Sequence, residues 1–322
     1  MCSLFNLEIA LINRSWMSGL KTNNSIRLTC PALRVRNIDK ALVFYEQTLG
    51  LKRWKSGQDR HGNLIYYLGL DSSTQTEELL LELHHDPDAK NAAPSSAGLF
   101  HFAILVPDRK SLASTYLELK NSGVSYDGFA DHLVSESLYL RDPENNGIEI
   151  YHDRRPEYWP RDTEGNILMD TLPLDIPSLV AELEELDSEH AKSFPAGARI
   201  GHVHLKVTNL RRSVKFYQEN LGFDVTLDWT PMGAVFLSSG GYHHHIGMNT
   251  WHSLNGREYS NNVIGLKDFT IIVSNISSFN KIKTAIEKHN LTLKRPVQLD
   301  RVSDSRLMVS DPDGIQIVIK SE

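Results

Sequence analysis

The chain of 322 residues is poor in cysteine, having two, Cys2 and Cys30. That number excludes a disulfide framework and an all-thiolate zinc site, and it suits a reducing compartment, so the cytoplasm is the expected location. Long apolar runs are missing too. Nothing approaches the roughly 20 uninterrupted apolar residues of a membrane-spanning helix, so no membrane role is expected. Basic charge is not in excess: 34 Lys and Arg face 40 Asp and Glu, a net charge of −6, which leaves no field to attract a phosphate backbone. Nucleic acid is therefore not an expected partner. A composition 40% apolar and 23% charged is that of a globular chain, long enough for two domains of about 150 residues.

Histidine is abundant by contrast, with 14 copies, several of them inside apolar runs. A histidine on a strand is ordinarily a hydrogen-bonded core residue, but histidine is also the commonest metal ligand. The amino-terminal stretch MCSLFNLEIALINRSW has no basic region and its apolar run is broken by Glu8, so it fits a secretory signal poorly. Residues 1–24 are expected to be a disordered extension, with Met17 an alternative start.

A repeat organises the remainder. CPALRVRNIDKALVFYEQTLGL (30–51) and HVHLKVTNLRRSVKFYQENLGF (202–223) share Leu33/Leu205, Val35/Val207, Asn37/Asn209, Phe44/Phe216, Tyr45/Tyr217, Leu49/Leu221 and Gly50/Gly222. Each reads as a strand, a helix capped by Asn, and a glycine that ends the helix. HFAILVPDRKSLASTYLELKNSGV (101–124) and DFTIIVSNISSFNKIKTAIEKHNL (268–291) follow the same plan and lead to RDPENNGIEIYHD (141–153) and SDPDGIQIVIK (310–320). The chain is thus expected to be an α+β protein of four βαβββ units. The expected layout is residues 25–155 as an amino-terminal domain of two units, 156–198 as a proline-bearing connector with a helix near 177–190, and 199–322 as a carboxy-terminal domain of two units.

This pattern resembles the vicinal oxygen chelate superfamily of glyoxalases, bleomycin-resistance proteins and dioxygenases. The resemblance covers nearly everything after residue 26 and implies two domains with cupped mixed sheets. It also implies two metal-facing positions per unit, one on the first strand and one on the last. Seven residues before each helix-capping Asn or Asp, the first-strand positions are Cys30, His101, His202 and Asp268. The last-strand positions are Glu82, Glu149, one of His243 to His245, and Gln316. Two neutral imidazoles with one carboxylate suit an iron(II) that must keep open sites, and His101, His202 and Glu149 supply that set; manganese(II) would accept it too. The set requires units two and three to share a cup, whereas better-known extradiol members pair units three and four.

The segment HLVSESLYLRDPENNGIE (132–149) resembles the extradiol ring-cleavage signature, with His132, Tyr139, Asp142-Pro143 and Glu149 on its functional slots and Asn145 where the family has Gly or Pro. Together with GLFHFAILVPDR, GHVHLKV and GGYHHHIGMNTW, it makes the chain similar to the Bacillus-type catechol 2,3-dioxygenase subgroup. The resemblance implies His244 as acid–base catalyst, with His132 and Tyr139 hydrogen-bonding the substrate oxygens. The partners would be a small aromatic diol and dioxygen, the product a 2-hydroxymuconic semialdehyde. Strand alternation would set His243 and His245 on one face and His244 on the other, and parity does not choose between them. His204 is read as a core residue. Tyr151, Tyr158, Trp159 and Trp251 are candidates for the pocket wall. A glyoxalase-like isomerase or lyase, and a non-catalytic small-molecule-binding resistance protein, are the alternatives on the same fold. Oligomeric state is open, a homo-oligomer included.

Overall fold

The computed structural model describes residues 26–59, 61–70, 78–183, 194–290, 300–303 and 306–322. The extension expected over 1–24 lies outside the described residues.

Unit one runs β1 (Ile26–Val35), α1 (Ile38–Leu42) widening into a π-helical turn (Val43–Thr48), β2 (Lys52–Gln58), β3 (Leu64–Gly69) and β4 (Leu79–His85). Unit two is β5 (Gly98–Leu105), α2 (Arg109–Asn121), β6 (Tyr126–Asp131), β7 (Ser135–Arg141) and β8 (Gly147–Asp153). The connector carries α3 (Ile176–Ala181). Unit three is β9 (Arg199–Lys206), α4 (Leu210–Leu221), β10 (Asp224–Trp229), β11 (Ala234–Ser238) and β12 (Ile246–Asn249). Unit four is β13 (Gly265–Val273), α5 (Ile276–Asn290), β14 (Asp300–Ser303), β15 (Arg306–Ser310) and β16 (Gln316–Ser321). The caps are where the repeat puts them. Asn37, Asp108 and Asn209 each accept a bond from the backbone N–H three residues on, and Gly222 closes α4 in the left-handed region at φ 77°.

The four units form two eight-stranded mixed sheets, and each sheet draws one unit from each half of the chain. β1 lies antiparallel to β13, joining units one and four; β5 lies antiparallel to β9, joining units two and three. In the second sheet Ala103 faces His202 and His101 faces His204 across the β5–β9 seam. The pairing that the ligand pattern requires is therefore that of this sheet.

The two sheets are tied by equivalent turns. Asp142, buried at the start of the Asp-Pro turn of unit two, accepts the Tyr45 hydroxyl at 2.9 Å, and Glu144 of the same turn accepts the N–H groups of Arg36 and Asn37 just before α1. In unit four Asp311 accepts the Tyr217 hydroxyl, and Asp313 takes the backbone N–H of Thr208 just before α4. A tyrosine shared by the repeats and the backbone N–H just before the cap thus serve one strut twice. Asn145 departs from the family pattern at a small conformational cost. It sits at φ 69°, which asparagine tolerates, and Gly314 holds the equivalent place at φ 85°.

Candidate metal centre and active site

β5, β8 and β9 bring three side chains to one point on the concave face of the second sheet. One donor atom each from His101, Glu149 and His202 lie within 4.8 Å of one another, and all three residues are buried. Glu149 Oε2 is 2.9 Å from Nε2 of His101 and 2.9 Å from Nε2 of His202. His202 is aligned for a hydrogen bond, whereas His101 Nε2 is a buried nitrogen with no hydrogen-bond partner. Such an orphan is costly unless something else binds it. A cation shared by the three donors removes the cost, so the residues fit a metal ion with two imidazoles and one carboxylate.

The electrostatics agree. Burial alone would raise the Glu149 carboxyl, but His202 and His101 override it and hold it well below the usual carboxylate range. Burial lowers His202 despite the adjacent carboxylate, which keeps a neutral imidazole available as a donor. Ser137, fully buried on β7, donates to Glu149 Oε1 at 2.7 Å and orients the carboxylate. Close approach of β8 to β5 depends on Gly147: a Cβ there would collide with the Phe100 carbonyl oxygen and lie 3.0 Å from His101 Cβ.

Above this point opens a cavity of about 340 Å³. His132, Tyr139 and His244 stand on its wall, so it gathers all six residues singled out from the sequence. His132 occupies a tight hairpin in which Leu133 adopts φ 70° and the Asp131 carboxylate accepts the Leu133 N–H. Arg154 grips Asp131 through two nitrogens, at 2.6 and 2.8 Å, and so pins that hairpin. His132 Nδ1 is 2.7 Å from the Asp170 carbonyl and must donate to it. Nε2 of that ring is then left to accept the Tyr139 hydroxyl at 2.7 Å. Burial, and Glu149 close by, raise the Tyr139 hydroxyl well above its ordinary pKa, so it keeps its proton.

The sequence model of the Glyoxalase/Bleomycin resistance protein/Dioxygenase superfamily matches residues 27–150 and 199–319. The chain belongs to this superfamily. A curated relative, the catechol-2,3-dioxygenase of Bacillus subtilis (strain 168), is 37% identical over 273 residues, which is 84% of this chain and 91% of that protein. Among solved structures, glyoxalase I from Zea mays superposes with a TM-score of 0.55 at 17% identity, covering 92% of this chain and 93% of the other. The cppA protein of Streptococcus pneumoniae TIGR4 gives 0.54 at 13% identity, covering 93% of this chain and 99% of the other. The last two likenesses are of fold.

The third unit of this superfamily member departs from the expected ligand pattern. Its last strand begins at Ile246, so none of His243 to His245 is on it. Register sets Gly247 opposite His204 as it sets Glu149 opposite Ala103, so the slot equivalent to Glu149 holds a glycine. The His204 ring fills the space, 2.9 Å from where a Cβ would stand. His204 bonds Asn249 at 3.0 Å, as a core histidine should, and also lines the cavity. The three consecutive histidines diverge because they form a loop. His244 faces the cavity over His202, with ring centroids 4.2 Å apart; His243 turns to Asp153; His245 packs on Ser238.

Among the proposed wall aromatics, Trp251 lines the cavity while three do not. Tyr151 is buried beside His202, Trp159 packs with Val134 and Ile167, and Tyr158 is 70% exposed. The other aromatic walls, Phe100, Trp229 and Phe236, were missed, although β10 and β11 alternation could have indicated the last two. Met169, Asp170 and Thr171 were hidden by their place in the connector, which returns to bridge Leu172 with Asp131 and covers one side of the cavity. Cys30, Glu82, Asp268 and Gln316 form no comparable centre. Glu82 bonds His84, Asp268 takes Lys267, and burial, with Glu82 and Asp268 nearby, raises the Cys30 thiol.

Proposed function

We propose that the chain is an extradiol ring-cleaving dioxygenase. It converts catechol or a substituted catechol, with dioxygen, into a 2-hydroxymuconic semialdehyde-type product. The bond beside the two hydroxyl-bearing carbons breaks, and both atoms of dioxygen enter the product. The observation that carries this reading is the meeting of His101, His202 and Glu149 beneath a cavity walled by His132, Tyr139 and His244. The similarity to the Bacillus subtilis catechol-2,3-dioxygenase supports it over most of both chains.

His101, His202 and Glu149 would hold iron(II), with manganese(II) the alternative ion. Such an ion would supply Lewis acidity toward the diol oxygens and a route for electrons to dioxygen. The remaining work falls to the chain. Tyr139 and His132 hydrogen-bond the substrate oxygens, and the Asp170 carbonyl fixes which His132 nitrogen meets the Tyr139 hydroxyl. His244 moves a proton at the cavity-facing side of its ring, kept neutral by burial and by His202 and His243. Phe100, Trp229, Phe236 and Trp251 exclude water and hold the ring. A reducing cytoplasm, which preserves ferrous iron, is the matching compartment. A glyoxalase-like reaction is disfavoured because Gly247 replaces a fourth, carboxylate ligand.

Anaerobic loading with iron(II), followed by catechol and air, should generate the yellow ring-cleavage product. No colour with any catechol or chlorocatechol, despite stoichiometric bound iron, would sink the proposal. His101→Ala and Glu149→Ala should each abolish iron retention, and Asp268→Ala should leave it unchanged.

A further inference from the structure

β8 continues past Glu149 to Asp153, a residue given no role by the metal-centre pattern, and this carboxylate meets the histidine loop before β12. Asp153 Oδ1 is 2.8 Å from Nε2 of His243, whose side chain is fully buried. The other side of that ring is committed as well, since His243 Nδ1 lies 2.8 Å from His244 Nδ1. The loop is anchored by Thr226, which donates to the His243 carbonyl at 2.6 Å, and Trp159 packs edge-on against the His243 ring with centroids 5.3 Å apart.

The row of contacts orders the hydrogens. A carboxylate only accepts, so His243 Nε2 carries the proton it gives to Asp153. With His243 in the Nε2–H tautomer that this bond selects, its Nδ1 is the acceptor, and the hydrogen between the two rings belongs to His244 Nδ1. One nitrogen of His244 remains for the cavity, Nε2, and it has no hydrogen. Asp153 Oδ2 is held in turn by the Tyr242 hydroxyl at 2.8 Å, and Tyr242 is backed by the Tyr151 hydroxyl at 2.7 Å. As Tyr242 spends its one hydrogen on Asp153, Tyr151 must donate to Tyr242. From the Tyr151 hydroxyl to His244 Nδ1 every polar atom in the row has a partner, which holds the rings in place.

We propose that Asp153 and His243 are positioning residues that hold His244 in the Nδ1–H tautomer, with a bare Nε2 turned to the cavity. For its catalytic meaning this rests on the dioxygenase reading, in which His244 must begin the cycle able to take a proton. The device has the logic of a carboxylate orienting an imidazole for general-base work, with one more imidazole interposed. The interposed ring lets β8 reach a base that hangs on another unit.

Two measurements test it. In the full chain held free of metal, two-bond ¹H–¹⁵N correlation of labelled histidines, assigned with His244→Gln, should find His244 as the Nδ1–H tautomer. A majority Nε2–H form would overturn the proposal whatever the enzyme does with catechols. In the iron-loaded enzyme, Asp153→Ala and His243→Leu should lower kcat by roughly 10²-fold, the lower end of what a general acid or base supplies, with KM and bound iron unchanged. His243→Gln, whose amide can donate to Asp153 and accept from His244, should restore most of kcat. If Leu and Gln at 243 turn over equally, the pair merely packs and the proposal fails. Should the parent protein cleave no catechol, the dioxygenase reading falls while the tautomer still decides this one.

Discussion

Gly147→Ala tests how the sheet brings its ligands together. The added methyl would meet the Phe100 carbonyl oxygen, and it would stand 3.0 Å from His101 Cβ and 3.2 Å from the Phe100 carbonyl carbon. Carbon atoms rest about 3.5–4.0 Å apart, so β5 and β8 must separate by roughly 0.5–1 Å at His101. Overpacking of this kind costs about 1–3 kcal/mol, offset by about 0.4–1 kcal/mol because alanine restricts the unfolded chain. A net loss of about 1–2 kcal/mol is expected in urea unfolding. The larger effect is on geometry: moving one of three ligands by nearly 1 Å should weaken iron retention and turnover by about 10²-fold. Chelator competition on the iron-loaded protein measures the first and ring-cleavage kinetics the second. Gly57→Ala is the control, because a Cβ there meets nothing within 4 Å. A Gly147→Ala variant with parental unfolding midpoint, iron affinity and turnover would refute the idea that this contact sets the position of His101.

Two further outcomes are expected. Ser137→Ala removes the buried bond to Glu149 Oε1 and should cost about 1.5–3 kcal/mol in the metal-free protein, with iron affinity falling by about 10–100-fold; chelator titration reads the second and urea unfolding the first. Burial, with Asp313 close by, pushes the Asp311 carboxyl up to about 7. Its folded pKa is raised, so its contribution to stability is fully present below the unfolded value near 4 and is lost as pH rises toward 7, at up to roughly 1.4 kcal/mol per pH unit. Asp311→Asn, which can still accept the Asp313 and Ile315 N–H groups, should flatten the fall of the urea midpoint between pH 4 and 7; an unchanged slope would contradict the shift.

What could be read in advance divides along physical lines. Strand–helix alternation and helix caps are local, so Asn37, Asp108 and Asn209 marked the units, and counting back from them reached His101 and His202. Pairing of units is non-local, and it became legible only because one pairing alone gathers two imidazoles and a carboxylate, a set that could hold a metal ion. The histidine loop misled because β12 is only Ile246–Asn249, too short to reach residues 243–245, so the alternation rule did not apply there. Ser137 and Asp153 are ordinary strand-face residues until β7 and β8 are paired and the loop before β12 is packed against them. Met169 to Thr171 owe their position to a bridge spanning some forty residues, for which no local pattern exists.

The interleaving of halves between the two sheets also bears on synthesis. When the first half of the chain leaves the ribosome, β1 lacks β13 and β5 lacks β9, so two apolar central strands have open edges. The second sheet can close once unit three has emerged, whereas the first must wait for nearly the whole of unit four. The nascent first half is therefore the aggregation-prone species, exposed at β5 until β9 is made and at β1 until β13 is made.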